Sequence, residues 1–304
     1  MINIKNKLGE LTTQQIVTLI ILIVSFAVIL IFLFLLDLGE LSNQEICHNS
    51  VALRSSSPLP SDSIPLDCRT SYVCMTKDGS CESMTGPEIE KVEVKEDVYN
   101  VLAKEMASCW WMFGEGRLDY VGDDLIPARY CSICSQLAFD DSVSEIFPDG
   151  FEKKELYDYM AVQNMPDKDY SYLEYLIGTR EVSQLGAGPD QGSRFGFMDL
   201  NKRHYVIMGI DSNFDWVKAG AIAGEIIGAV SIRIPLGSAG SKAGALLRGV
   251  LHMNSLAGLG ALGGLYVGNM VEGESGNNYL SPTIVEVNSK TFEGLKCKDV
   301  STLA

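Results

Sequence analysis

Histidine is scarce in this chain of 304 residues, which holds only His48, His204 and His252, and tryptophan is as rare. With so few imidazoles and no G-x-S-x-G, the sequence lacks the parts of a serine hydrolase. No G-x-x-x-x-G-K-S/T occurs, so a P-loop is absent too. Basic residues are short: Lys+Arg total 24 against Asp+Glu 39, a net charge of −15, which repels nucleic acid and anionic headgroups. No nucleic-acid partner is expected, and no motif calls for a cofactor or completes a catalytic constellation. Cysteine is missing from the first 46 residues, and charge is missing from Ile16 to Leu36.

That uncharged stretch, IVTLIILIVSFAVILIFLFLL, carries only two hydroxyls, Thr18 and Ser25. As a helix at about 1.5 Å per residue it reaches roughly 30 Å, the depth of a bilayer's hydrocarbon core, and it has no polar stripe to face water. It reads as a transmembrane anchor over 16–36, with the lipid bilayer as partner. Lys5 and Lys7 precede it, Asp37, Glu40 and Glu45 follow it, and the next basic residue is Arg54. The positive-inside rule therefore places residues 1–15 in the cytoplasm and everything after Leu36 outside. The run is long for a signal-peptide core, and Asp37-Leu38-Gly39-Glu40 offers no small-x-small cleavage site, so the helix is expected to stay.

All eight cysteines, Cys47, Cys68, Cys74, Cys81, Cys109, Cys131, Cys134 and Cys297, follow the anchor. An even count in an oxidising compartment suggests up to four disulfides. Lys77-Asp78-Gly79-Ser80 is a turn between two short strands, which predicts a hairpin closed by Cys74–Cys81. Cys109 is expected to join Cys131 or Cys134.

Residues 37–65, rich in Ser, Asn, Asp and Pro, read as a stalk and loop. A mixed domain follows over 66–215: a half-buried strand at Glu88 to Val94, a helix from Lys95 to Phe113 ended by Gly114, and a buried strand from Ile133 to Phe139. Asp140 or Asp141 caps a short helix to Phe147, and further helices run from Glu152 to Gln163 and from Ser171 to Ile177. Gly186 to Gly196 reads as a loop and His204 to Ile210 as a strand. Strand and helix do not alternate regularly, which favours an α+β fold stapled by disulfides.

Two short patterns carry a resemblance. Lys5-Asn6-Lys7-Leu8-Gly9-Glu10-Leu11-Thr12-Thr13-Gln14 resembles the basic leader of archaeal type IV pilin-like proteins, in which a cut follows the residue matched by Gly9. Glu10 stands where that family usually has Gln, and Gln14 where it usually has Glu. Cys109-Trp110-Trp111-Met112-Phe113-Gly114-Glu115-Gly116, with Cys131-Ser132-Ile133-Cys134 after it, is similar to a pattern in uncharacterised membrane-anchored proteins of archaea. That resemblance implies a place at the cell surface and brings no activity.

Composition shifts after residue 215. Thirteen of the 29 glycines lie between Gly220 and Gly273, with Gly220, Gly224 and Gly228 in one segment and Gly260, Gly264 and Gly268 in another. Four-residue spacing puts each set on one helical face where backbones can approach closely. The segments Trp216 to Ile234 and Lys242 to Val271 predict a glycine-zipper helical hairpin over 216–271, embedded in the membrane or packed on the ectodomain. Counted from Gly237, Glu225 and Arg248 stand at matching levels and are expected to pair, since an isolated charge in a membrane helix costs about 2.5–3.5 kcal/mol. Residues 272–304 then form an extracytoplasmic C-terminal segment.

Several clusters invite chemistry. Cys131 and Cys134 have C-x-x-C spacing, which suits structural disulfides, a thiol oxidoreductase, or zinc with Cys109 and one histidine. Trp110 sits on the apolar face of its helix and Trp111 at its edge, as core or as an aromatic contact surface. Acidic clusters at Asp119 to Asp124, Asp140-Asp141 and Asp167 to Asp169 follow no EF-hand pattern and read as solvated surface. The whole points to a membrane-anchored surface protein for adhesion or for assembly with protein partners or its own copies; a membrane-active or pore-forming component is the alternative, and an extracytoplasmic thiol oxidoreductase a third.

Overall fold

In a computed structural model of the chain, the described residues are 13–35, 42–60, 63–82, 84–124, 127–185, 195–214, 261–262, 265–266 and 270–301, with side chains given for 16–28 of the first stretch. The chain divides into two units, Met1–Ser42 and Asn43–Ala304.

The first unit contains α1 (Thr13–Leu35), and its apolar residues from Ile16 to Val28 are exposed on every side of the helix. Among the described residues no helix is long and apolar enough to cross a membrane.

The second unit is a mixed α+β structure. It begins with α2 (Asn43–Ser56), which corrects the stalk reading of 37–65. Its apolar face is only Cys47 and Val51, one turn apart and both fully buried, and the Cys47–Cys68 bond holds the following chain against it. Two residues are too short a stripe to stand out in a polar sequence.

The main sheet runs in the order β11 (Met270–Glu272), β12 (Asn278–Glu286), β7 (His204–Asp211), β4 (Arg129–Phe139), β1 (Ser71–Thr76) and β2 (Glu88–Lys91). β13 (Cys297–Ser301) also pairs with β4. β4 is the axis. One edge pairs antiparallel with β7; along the other, residues 129–132 pair with β13 and residues 135–139 with β1, both parallel. Residues 272–301 of the expected C-terminal segment are therefore not separate: with β11 they complete the sheet begun by residues 71–139.

β2 lies parallel to β1, Cys74 facing Ile89, so Asp78-Gly79 does not join two antiparallel strands as the hairpin reading has it. Asp78 accepts from the Ser80 N–H and hydroxyl at 2.8 and 2.7 Å and tightens the turn. Past it, Gly86 at positive φ and Pro87, which has no N–H to donate, rule out a return strand before Glu88.

Helix α3 (Lys95–Met112) lies across one face of the sheet. Asp97 accepts from the Glu93 and Val94 N–H groups at 2.9 and 3.1 Å, and Gly114, at φ +79°, takes the left-handed position past the end. Val98, Leu102, Met106 and Trp110 are buried beneath it, and Trp110 meets Tyr279 of β12 edge-on at 5.9 Å. Helices α4 (Lys153–Val162) and α5 (Tyr172–Ile177) pack beside α3. Ser171 caps α5, Asp140 caps the short 3-10 helix Asp141–Glu145, and the small pairs β5 (Phe151–Glu152) with β6 (Phe197–Met198) and β3 (Asp123–Asp124) with β8 (Asn213–Phe214) tie loops to the rim.

The opposite face carries a second, smaller core of Cys131, Ile133, Ile207, Leu280, Val285 and Leu295, with Phe292 of α6 (Lys290–Gly294) over Tyr205. Register breaks in β4 between Ile133 and Ser135 and in β12 between Leu280 and Thr283 let both strands serve both cores. Gly273 shows how closely the chain approaches itself here: a Cβ on it would lie 2.1 Å from the Gly116 carbonyl oxygen and 2.3 Å from the Tyr279 ring.

Of the expected glycine hairpin, residues 215–260 lie outside the described residues. Where the second helix was expected to end, β9 (Ala261–Leu262) pairs with β10 (Leu265–Tyr266), and Met270–Glu272 is strand. The helix reading fails there, where the sequence is glycine-rich and each glycine weakens a helix by about 1 kcal/mol relative to alanine.

Candidate functional site

Three constellations carry the chemistry of the second unit. The first is the cysteine framework. Cys47–Cys68, Cys74–Cys81, Cys109–Cys134 and Cys131–Cys297 are bonded, and no cysteine is free. The Cys74–Cys81 pair is the one expected from the turn, although the strand arrangement around it differs. Cys109 takes Cys134, joining α3 to β4 on the helix side.

The redox and zinc readings of Cys131 and Cys134 are corrected. In a strand, residues three apart project to opposite faces, so a C-x-x-C there cannot close on itself. Cys134 lies in the large core with Cys109, whereas Cys131 lies in the small one and bonds the C-terminal strand. With all three sulfurs in disulfides, none is a zinc ligand. His48 instead stacks on Trp111, ring centroids 4.3 Å apart, with its Nδ1 2.8 Å from the Trp111 carbonyl oxygen. Trp110 is core.

The second constellation sits where β13 meets β4. Arg129 and Asp211, facing across β4 and β7, form a two-pronged pair at 2.7 and 2.8 Å, with side chains only 9% and 13% exposed. A Cβ at Gly209 would come within 3.3 Å of the Arg129 stem, so glycine leaves room for it. Next to this pair, Asp124 accepts from Tyr130 at 2.7 Å and Ser212 at 2.9 Å, while Lys298 of β13 reaches both Asp124 and the Tyr130 hydroxyl. Burial works to raise the Asp124 carboxyl, but hydrogen bonds from Tyr130, Ser212 and Lys298 outweigh it and hold the group below the usual carboxylate range. Lys298 is bound to Tyr130 and Asp124 and is pushed up. Asp124 of the first acidic cluster is thus part of a structural clasp, and no group of three or more metal-binding side chains occurs among the described residues.

The third is a seam between α4 and the sheet. Lys153, in the first turn of α4, is half-buried, and its ammonium donates to the Ile284 carbonyl of β12 at 2.7 Å. Burial brings it down to about 8, partly opposed by the negative charge of Glu286. His204, at the start of β7 opposite Glu286, is 1% exposed, and its Nδ1 has no hydrogen-bond partner among the described residues. Burial, and then the neighbouring charge of Lys153, lower it to about 3. One turn along α4, Tyr157 is raised to about 12 by burial, against a hydrogen bond with Thr283. Among the described residues no carboxylate is bonded to either of these two basic groups: Glu286 is held by Lys202 at 2.8 Å. Sequence reading missed this seam, because a lone lysine and a lone histidine 51 positions apart announce nothing until the sheet brings them together.

The remaining expected site residues, Gly220, Gly224, Gly228, Gly260, Gly264, Gly268, Glu225 and Arg248, lie outside the described residues. Comparison with protein-family models, with curated proteins and with solved structures gives no match to the chain.

Proposed function

We propose that the chain is a membrane-anchored protein whose disulfide-stapled α+β unit stands outside the cell and serves adhesion or assembly with other subunits. One observation carries this reading: all eight cysteines of the folded unit are joined in pairs, and the unit is preceded by a helix whose apolar side chains are exposed all round. Disulfides on this scale belong to an oxidising compartment, and a helix that is apolar on every face needs an apolar surround. The charges flanking 16–36 then set the orientation, N-terminus inside. The edges of the sheet suit a protein that chooses its partners, since β11 is three residues long and β2 carries Glu88, Glu90 and Lys91, which discourage indiscriminate strand pairing.

A topology experiment tests it. In intact cells, a membrane-impermeant maleimide should leave the protein unlabelled until a reductant is added, and the protein should stay with membranes through alkaline carbonate washing. Free thiols in the untreated protein, or its release by carbonate, would count against the proposal.

A second reading gives the glycine-rich segment a membrane-active role. The sheet supports it in one respect. Asp211, Asn278 and Glu272 lie in a row across β7, β12 and β11, so the chain leaves the sheet beyond Asp211 and rejoins it at nearly the same level. Such an excursion suits insertion of the part of the segment before Met270 into a bilayer without disturbing the sheet.

A further inference from the structure

The main sheet ends at β2, which pairs with β1 alone. The Val92 N–H, just past β2, donates to the Thr76 carbonyl at 2.9 Å. Backbone groups alternate in direction along a strand, so Glu88 and Glu90 turn theirs to β1 as Val92 does, while Ile89 and Lys91 turn theirs to the free edge. The side chains divide between two faces in the same way. Glu88 and Glu90 face Val73 and Met75, which belong to the core that α3 covers, so both carboxylates project on the α3 side, near Glu105 of that helix. Among the described residues none of the three forms an ion pair. Burial pushes the Glu105 carboxyl up, and the negative charges of Glu88 and Glu90 push the same way. On the opposite face Ile89 is 46% exposed and Tyr72 of β1 44%. The stem of Lys91, on that face too, lies against the Asp78-Gly79 turn, where a Cβ on Gly79 would come within 3.2 Å of its Cε.

We infer that the outer edge of β2 receives an extended segment of another protein, one in which basic residues alternate with apolar ones, as an added strand of the main sheet. The inference rests on the proposed role in assembly and gives that role a place. The segment's backbone bonds the free groups of Ile89 and Lys91; its basic residues lie beside Glu88 and Glu90, and its apolar residues extend the surface of Ile89 and Tyr72. Opposite charges across paired strands favour the pairing and like charges oppose it, so the same carboxylates turn away acidic edges, a second β2 among them. Two stretches of this chain have basic residues two apart, Lys5-Asn6-Lys7 and Lys296-Cys297-Lys298. The first precedes the anchor and, on the proposed topology, lies across the membrane. The second is committed to the chain's own sheet, with Cys297 bonded to Cys131 and Lys298 held on Asp124. The segment therefore comes from a different polypeptide.

Full-length protein in an uncharged detergent is titrated with a short fluorescent peptide that alternates lysine and valine, followed by anisotropy, beside a peptide with glutamate in place of lysine. The lysine peptide should bind and the glutamate peptide should not. Glu88→Lys with Glu90→Lys should weaken binding at least about tenfold, because two attractive cross-strand pairs become repulsive. Ile89→Pro removes an N–H from the free edge, the side of an edge strand on which proline is tolerated, and should abolish binding while the four disulfides keep their native pairing. Two further peptides, one N-methylated at its valines and one at its lysines, put the same question to the unmodified protein, and one of them should lose affinity. No binding of the lysine peptide overturns the site. Equal binding by both methylated peptides, or by folded Ile89→Pro, overturns strand addition and leaves only charge attraction. Self-association of the full chain that Ile89→Pro abolishes would give the edge to a second copy and overturn the choice of partner. None of these outcomes alters the maleimide or carbonate result, so failure of this site is distinct from failure of the membrane-anchored reading.

Discussion

Replacing His204 with leucine should remove the loss of stability that this imidazole causes between about pH 7.5 and 5. The native imidazole resists protonation down to about pH 3, whereas in the unfolded chain it titrates near 6.5. Below pH 6.5 the unfolded state therefore binds a proton that the native state refuses, and stability falls as pH falls. Each unit of separation is worth about 1.36 kcal/mol. From pH 7.5 to pH 5 the unfolded histidine becomes almost fully charged and the native one does not, which removes about 2 kcal/mol; by pH 3 the loss reaches roughly 4 kcal/mol. The residue is 1% exposed, so little of this is screened by solvent. Leucine fills a similar volume against Phe139 and leaves no buried nitrogen without a partner. Urea unfolding with disulfides intact, at pH 7.5, 6 and 5, compares the two proteins so that every other titrating group cancels. The wild type should lose about 2 kcal/mol more than His204→Leu across that range, which is about 4–8 °C in a thermal scan of a domain this size. If the two stability profiles run parallel, His204 is charged or solvated in the folded state and the seam is not what the geometry indicates.

Two further outcomes follow from the frame around β4. Removing Cys131–Cys297 as a pair of serines should cost about 5 kcal/mol by loop entropy, against about 2 kcal/mol for Cys74–Cys81, because the first closes 166 residues and the second seven; paired denaturation curves measure the difference. Arg129→Met alone strands the Asp211 carboxylate in a largely buried site and should cost about 3–5 kcal/mol, while Arg129→Met with Asp211→Leu should recover most of it, a coupling that a double-mutant cycle reads directly.

Much of the second unit was legible because its elements announce themselves locally. The helix at 95–112 shows a 3.6-residue apolar period and ends at a glycine; the strand through 133–139 is mostly apolar, broken only by Ser135 and Gln136. Ser171 and Asp140 are ordinary caps. What stayed hidden depends on partners far along the chain. The parallel pairing of β1 with β2 replaces a turn signal that is real but local. Lys153 and His204 form a seam only because β7 and β12 pair. The assignment of Cys131 and Cys134 to different cores was available in principle. Once the segment around them is read as strand, spacing three sends the two sulfurs to opposite faces, and the redox reading loses its geometry before any coordinate is known.

The glycine-rich excursion offers the sharpest separation between the folded unit and the membrane readings. β8 ends at Phe214 and β9 begins at Ala261, while the rows of paired residues show that the chain departs and returns near one end of the sheet. Two strand spacings of about 4.8 Å separate β7 from β11. A flexible linker of about ten residues has an end-to-end distance of about 17 Å, enough to bridge that gap with slack. Replacing residues 215–260 with such a linker should therefore leave all four disulfides in their native pairing, since each bonded cysteine lies outside the replaced segment. Peptide mapping of the unreduced protein reads this. Truncating residues 1–42 in the same protein should then leave a unit that no longer binds vesicles. If the truncated protein binds vesicles only when 215–260 is present, the membrane-active reading of that segment gains its support. Scrambled disulfides in the linker protein would show instead that the glycine-rich segment helps assemble the sheet, and the reading of it as a removable excursion would fall.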